Sequence, residues 1–401
     1  MWITQRPSPV GISRRRGSRC RPMTPGPGPE RRRPPNPQGC PEQHEIALSG
    51  PSLRVAGQPT THSQGSSGTD NLHTAHAARG LLDPHTEALD LPAPEPGSRP
   101  LVPPNAATAL TWFDTEHQAL LAVQRTAFDR GWWNRTWQLA WTLTTFHYRR
   151  GRLHDDVSTW QLAAAATDRL GPGPAAITAR RHLGHACART GRSTEALNHL
   201  HRALANADAL TDRPQQAHTH RMLALTWWRQ GDDHRARDHA RAALRLFYAL
   251  DDRPRQADAE NQIAWYSTKL GDHDTARASC ARALALYRAG GDRDGEASTL
   301  DTMGHLAGLT GDHTSALEHY RDSLTLFQAL GHAYKEANTL DRLGHTHAAL
   351  GHTEDARLVW TRAIELYRDQ QRTTATRGTA AVGRPSLTLS VVLERSVCRG
   401  G

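Results

Sequence analysis

Five stretches of this chain repeat one pattern at a spacing of 40 residues. Counted from Leu183, one position holds Leu183, Leu223, Ile263, Met303 and Leu343. Eight residues on, every unit has glycine: Gly191, Gly231, Gly271, Gly311 and Gly351. Ala196, Ala236, Ala276, Ala316 and Ala356 follow, then Ala203, Ala243, Ala283, Ser323 and Ala363. Ala207, Phe247, Tyr287, Phe327 and Tyr367 close the units. A period of this length marks an array of supersecondary pieces that bury their faces only against neighbours. The low hydrophobic fraction, 37%, suits such an array better than one compact core.

Each position has a physical reason. The stretch before each glycine, about 175–189 in the first unit, has helical spacing. The glycine ends it because only glycine takes the left-handed conformation without penalty. Asp232, Asp272 and Asp312 then stand where a second helix starts, a place that favours carboxylates. The recurrent alanine lets two antiparallel helices approach, and the anchor Leu with the late aromatic fills the space between units. Pro174, Pro214 and Pro254 fall in register in the first turn of the next helix, where proline is tolerated. Leu143 and Gly151 continue the register into a degenerate unit, which has Asp156 where alanine belongs.

The Leu-Gly, Gly, Ala, Ala order resembles the tetratricopeptide repeat (TPR), stretched by longer helices and inter-unit loops such as "LTDRPQQA" and "LDDRPRQA". The resemblance implies an all-α fold, a right-handed solenoid of antiparallel helix pairs with a 40-residue repeat. The expected organisation is a disordered Arg/Pro-rich segment (1–70), a linker with one short helix (71–105) and a linker helix (106–134). A solenoid of one degenerate and five regular units (135–370) and a disordered tail (371–401) complete it. Nineteen of the 24 prolines precede Asn105, and the charge divides likewise. Residues 1–60 carry about +7 and 371–401 about +4, against +9 for the chain, so 61–370 are near −2. The folded body therefore lacks the basic surface that direct nucleic-acid binding needs.

No run of 18 apolar residues and no secretory leader pattern is present, so the expectation is a cytoplasmic protein without a membrane span. Cys20, Cys40, Cys187, Cys280 and Cys398 have no metal-ligand spacing. Only two lysines occur, Lys269 and Lys335, and neither lies in a phosphate-binding Gly-Lys-Ser/Thr loop.

A closer resemblance rests on "NLHTAHAARGLLDPH" (71–85), "LTWFDTEHQALL" (110–121), "NQIAWYSTKLGDH" (261–273) and "ANTLDRLGHTHAALG" (337–351). These are similar to the C-terminal region of antibiotic-regulatory, NB-ARC (STAND)-type transcription activators, over about residues 71–370. In that family a DNA-binding domain and a nucleotide switch precede a linker helix and a TPR sensor arm. The resemblance implies such an arm without its switch. A regulatory subunit acting in trans with a separately encoded switch protein, and an unrecognised enzyme, are the competing readings.

Candidate chemistry is sparse. His185, His305 and His345 share one repeat position, but equivalent residues of adjacent repeats lie roughly 10 Å apart, too far for one ion. The "HDD" at 154–156 and "GDD" at 231–233 read as helix-start residues, and Trp132, Trp133, Trp137, Trp141 and Trp160 as a cap on the core. No triad pattern, metal set or cofactor motif is expected.

The remaining candidate is the groove. A helix turns 100° per residue, so positions −2, +2 and +6 from the anchor point away from the core. Position −2 reads Arg181, Arg221, Asn261, Asp301, Asp341, and position +6 reads Arg189, Arg229, Lys269, Leu309, Ala349. Trp228 and Trp265 lie midway, with His305 and His345 at +2. The expected partner is a protein or peptide segment held in this groove, acidic toward the first units and basic toward the last.

Overall fold

The structure, a computed structural model, describes residues 68–85, 89–94, 96 and 99–370. The segments expected to be disordered lie outside these residues, except that Gly68–Asp70 already belong to the first helix. Among the described residues there are fourteen helices and no strand. Helices α1 (Gly68–Leu82) and α2 (Ala106–Asp129) precede the degenerate pair, α3 (Trp133–Arg150) with α4 (Leu153–Leu170). The first two regular units are α5 (Pro174–Arg189) with α6 (Ser193–Ala209), and α7 (Arg213–Arg229) with α8 (Asp233–Ala249). The third is α9 (Arg253–Lys269) with α10 (His273–Gly290). The fourth is α11 (Arg293–Leu309) with α12 (His313–Ala329), and the fifth α13 (Ala333–Ala349) with α14 (Thr353–Asp369).

The turns follow a finer rhythm than the sequence repeat. A residue of positive φ stands at every twentieth position from Gly131 to Gly351. Ten of these are glycines, and Thr211 and Asp251 take the other two places at φ 52° and 51°. A side chain in this conformation costs about 1–2 kcal/mol. The sequence period of 40 is thus two geometric steps of 20, one per helix.

Capping follows the same rhythm. Asp232, Asp272 and Asp312 accept the amide hydrogens of Arg235, Thr275 and Ser315 at the starts of α8, α10 and α12. Asp212, Asp252 and Asp292 do the same for α7, α9 and α11. Each cap satisfies an amide that helix geometry leaves without a partner.

The repeat alanines Ala196, Ala236, Ala276 and Ala316 are wholly buried, and Ser323, in an alanine position, donates to the Ala297 carbonyl at 2.8 Å. No space is left for a larger side chain. Ala276→Leu is therefore expected to destabilise the protein by about 1–3 kcal/mol. A urea unfolding curve that superposes on the wild type would mean that α9 and α10 do not meet at this alanine.

The linker segments are packed onto the stack. Leu72, Ala75 and Leu82 of α1, Phe113 and Leu120 of α2, and Leu139, Leu143 and Phe146 of α3 form one apolar cluster. Phe113 and Phe146 stack at 5.0 Å. Further along, Trp141 and Trp160 are buried as core, whereas Trp132 is exposed. The first helices of successive units touch one another, α5 with α7, α7 with α9, α9 with α11 and α11 with α13. They form the inner layer, and α6, α8, α10, α12 and α14 the outer.

Candidate functional site

The inner face is narrow enough for units distant in sequence to meet across it. Helix α3 touches α13. Arg149 of α3 donates to the Leu330 carbonyl at 2.8 Å, and Tyr148 lies edge-on to His332 at 4.8 Å and 5.2 Å from Tyr334. Arg229 of the second unit donates to the Tyr334 hydroxyl of the fifth at 3.1 Å. The guanidinium of Arg342, also from the fifth, lies 5.3 Å from the Trp265 ring of the third.

The predicted residues fall into three sets. The first is drawn into the body. Arg181 is 1% exposed and Arg189 6%. Arg189 donates to Asp156 at 2.5 Å and lies 4.6 Å over the Tyr148 ring. The "HDD" aspartate is therefore a buried counter-charge. The cap position of α4 is held by Arg152, which makes no side-chain capping bond. Asp301, 7% exposed, is also engaged: it accepts from Thr339 at 2.7 Å and from Arg342 at 3.1 and 2.5 Å.

A second set bridges neighbouring helices. Arg221 lies 3.6 Å from Asp258, which Arg255 also approaches at 2.9 Å. Burial opposes ionisation of Asp258, but Arg255, Arg221 and the Tyr287 hydroxyl outweigh it and hold the carboxyl below its ordinary range. Asn261 accepts from the Thr302 hydroxyl at 2.9 Å. Asp341 lies 3.7 Å from exposed His345, whose ring meets Trp360 at 5.2 Å. Leu309 and Ala349, at the +6 position, are exposed at the rim.

The third set forms one ladder. Trp228 meets Trp265 edge-on at 5.8 Å, and Trp265 stacks on His305 at 4.6 Å and 24°. Arg229 lies 5.5 Å from the Trp228 ring, and Lys269 5.9 Å from Trp265. Three polar atoms here, Arg229 Nε, Trp265 Nε1 and His305 Nε2, are buried without a hydrogen-bond partner. Burial, with Lys269 and Arg342 adding to it, pushes His305 well below the ordinary histidine range and keeps it neutral. Burial also lowers Lys269, with Asp233 opposing and Arg342 adding. The ladder thus joins aromatic surface, cations and unmet polar atoms.

Sequence reasoning missed Tyr148, Asp294, Tyr334, Lys335 and Arg342. Lys335 donates to Asp294 at 2.7 Å, and together with Lys269 it places both lysines of the chain on the inner face. In a chain otherwise using arginine, that rarity was the available signal.

Comparison with known proteins agrees with this architecture. The tetratricopeptide repeat model matches residues 175–249, 255–329 and 309–369. No curated protein sequence matches the chain. Among solved structures, a Rap protein complexed with competence and sporulation factor is 14% identical, with 66% of this chain and 74% of that one covered and a TM-score of 0.53. The Rap conjugation gene regulator of plasmid pLS20, in complex with the Phr* peptide, is 14% identical over 69% and 75%, with a TM-score of 0.52. NprR in complex with its cognate peptide NprX is 17% identical over 72% and 84%, with a TM-score of 0.50. Among the described residues no helix is long and apolar enough to cross a membrane. The repeat register, the paired helices and these matches lead to one conclusion: residues 175–369 form a stack of tetratricopeptide repeats.

Proposed function

We propose that this stack is a non-catalytic module that binds a peptide or protein segment on the inner layer, at the ladder of Trp228, Trp265 and His305. The observation that carries the reading is the pair of buried, unpartnered donors Arg229 Nε and Trp265 Nε1, with Lys269 beside them. Unmet polar atoms cost free energy, and a ligand that supplies acceptors removes the cost. A carboxylate matches the Arg229 fork, and the indoles offer contact area for an apolar neighbour. A segment seated here exchanges the Tyr334 hydroxyl for a charged acceptor on Arg229. Complexes of similar fold hold peptides, as with NprX and Phr*, but the reading for this chain rests on its own inner face.

The charge gradient read from sequence changes accordingly. Asp301 is committed to Arg342 and Thr339, so the fourth unit offers no free carboxylate at that position. The preferred ligand is acidic at Arg229 and Lys269. In cellular terms, the module serves as the sensor arm of a STAND-type regulator, either as part of one or acting in trans. The stretches supporting this are Trp112–Glu116, on α2 and including buried Phe113, and Asn261–Tyr266, within the ladder helix α9.

The test is fluorescence anisotropy with two randomised octapeptide pools, one with a fixed Glu-Glu pair and one with Lys-Lys. The acidic pool is expected to bind. Arg229→Glu and Lys269→Glu should each weaken it by about 0.2–1 kcal/mol, as partly solvated charges do. Trp265→Ala should cost at least about 2 kcal/mol, roughly 30-fold. Affinity indifferent to all three variants would place the ligand elsewhere.

A further inference from the structure

The turn between α13 and α14 departs from those of the second, third and fourth units. Where Asp232, Asp272 and Asp312 cap their helices, the fifth unit has His352, whose side chain makes no capping bond. The position has given up a cap and gained an exposed imidazole. Beneath it His347, in the last turn of α13, is 4% exposed, and its buried Nδ1 has no hydrogen-bond partner. That nitrogen lies 3.7 Å from the Asp355 carboxylate, in the first turn of α14. The His352 amide donates to the His347 carbonyl at 2.9 Å, which holds the two rings 5.8 Å apart. One ligand atom from each of the three residues lies within 4.8 Å of the others.

We propose that His347, His352 and Asp355 form a binding site for a divalent cation of the zinc class. Two imidazole nitrogens and one carboxylate oxygen are a zinc donor set, with water left for the fourth position. Bonds of 2.0–2.1 Å in a tetrahedron put ligand atoms about 3.4 Å apart. The His347–Asp355 pair is already near that separation. His352 and Asp355 are exposed, so their side chains can rotate to close the remaining gap. Ligation also removes the cost of the unpartnered His347 nitrogen.

The repeat supplies an internal comparison. In the regular units the equivalents of His347 are Cys187, Trp227, Ser267 and Ala307, and those of Asp355 are Glu195, Arg235, Thr275 and Ser315; the degenerate unit has His147 and Asp155, but Arg152 in place of His352. None of the preceding units combines two histidines with a carboxylate at these places. A bound cation here joins the end of α13 to the start of α14, in the last described helix pair, where the aspartate cap is missing. The site is independent of the inner-face ladder.

The experiment uses the untagged full chain, stripped with chelator and titrated with Zn2+ by calorimetry and with Co2+ by visible absorption. One equivalent is expected to bind, with a tetrahedral Co2+ spectrum and a melting temperature raised by zinc. Second-shell partners are worth about 10–100-fold in metal affinity, and loss of a ligand should cost no less. Asp355→Ala and His352→Ser are therefore each expected to weaken binding at least tenfold. His352→Ser also supplies a capping hydroxyl, so without metal it should melt no lower than the wild type. Absence of saturable binding, or zinc binding that both variants retain, would overturn the proposal.

Discussion

Asp156→Ala restores the residue that the repeat register calls for, yet it is expected to destabilise the protein by about 3–5 kcal/mol. Asp156 is 1% exposed and holds Arg189 at 2.5 Å. On its other side lies His147 Nδ1, at 3.5 Å from the carboxylate, and His147 meets His117 at 3.1 Å. Burial, then His147 and Arg152, pull His117 down to about 4 against Asp155 and Asp114, so it is neutral near pH 7. The chain from His117 through His147 and Asp156 to Arg189 ties α2, α3, α4 and α5 together. Removing the aspartate strands a guanidinium that is 98% buried at its side chain. Urea unfolding of the full chain measures the loss. Asp156→Ala/Arg189→Met removes both charges and is expected to recover most of it, because a buried pair is costly chiefly when halved. Equal unfolding midpoints for wild type and Asp156→Ala would show that Arg189 reaches water without its partner.

Phe247→Ala is expected to cost about 3–5 kcal/mol, as a buried aromatic truncation does. The ring is wholly buried between units, against Ala217 of α7 and Ala259 of α9, with His218 edge-on at 5.3 Å. Alanine already stands at this position in the first unit, as Ala207, and there its neighbour is Ile177. In the other four units the place of Ile177 is taken by alanine, at Ala217, Ala257, Ala297 and Ala337, opposite Phe247, Tyr287, Phe327 and Tyr367. The two positions exchange volume. Ala217→Ile alone should overpack and destabilise by about 1–3 kcal/mol. Added to Phe247→Ala, it should instead recover part of the loss, since contacting sites couple. Additive effects in the double variant would mean that the two positions do not share one space.

The parts of the fold legible in the sequence were those set by local chemistry. The left-handed glycines, the capping aspartates and the prolines each act within one turn, the small residues act between helices adjacent in sequence, and each occupies its expected place. The 20-residue step was hidden because Thr211 and Asp251 adopt glycine's conformation without being glycine. Asp155 and Asp156 do stand in the first turn of α4, as expected, but the pairing of Asp156 was hidden because its partner is 33 residues away on another helix. The groove suffered a related error. A 100° projection treats each helix as alone, but successive first helices touch. Arg181 and Asp301, at the −2 position, are therefore covered by neighbours. Arg342 and Tyr334 belong to the ladder's surroundings only because the fifth unit faces the second and third, which no local pattern records.

The contact of α3 with α13 changes what kind of polymer this stack is. An open array of repeats has nearest-neighbour couplings alone, and its terminal units fray first. Here Arg149 reaches the Leu330 carbonyl across 181 residues of sequence, so that within the described stack the couplings form a loop. The fifth unit cannot melt outward without also releasing α3. Amide hydrogens of α13 should accordingly exchange in step with those of α3, as one cooperative unit rather than as a frayed end.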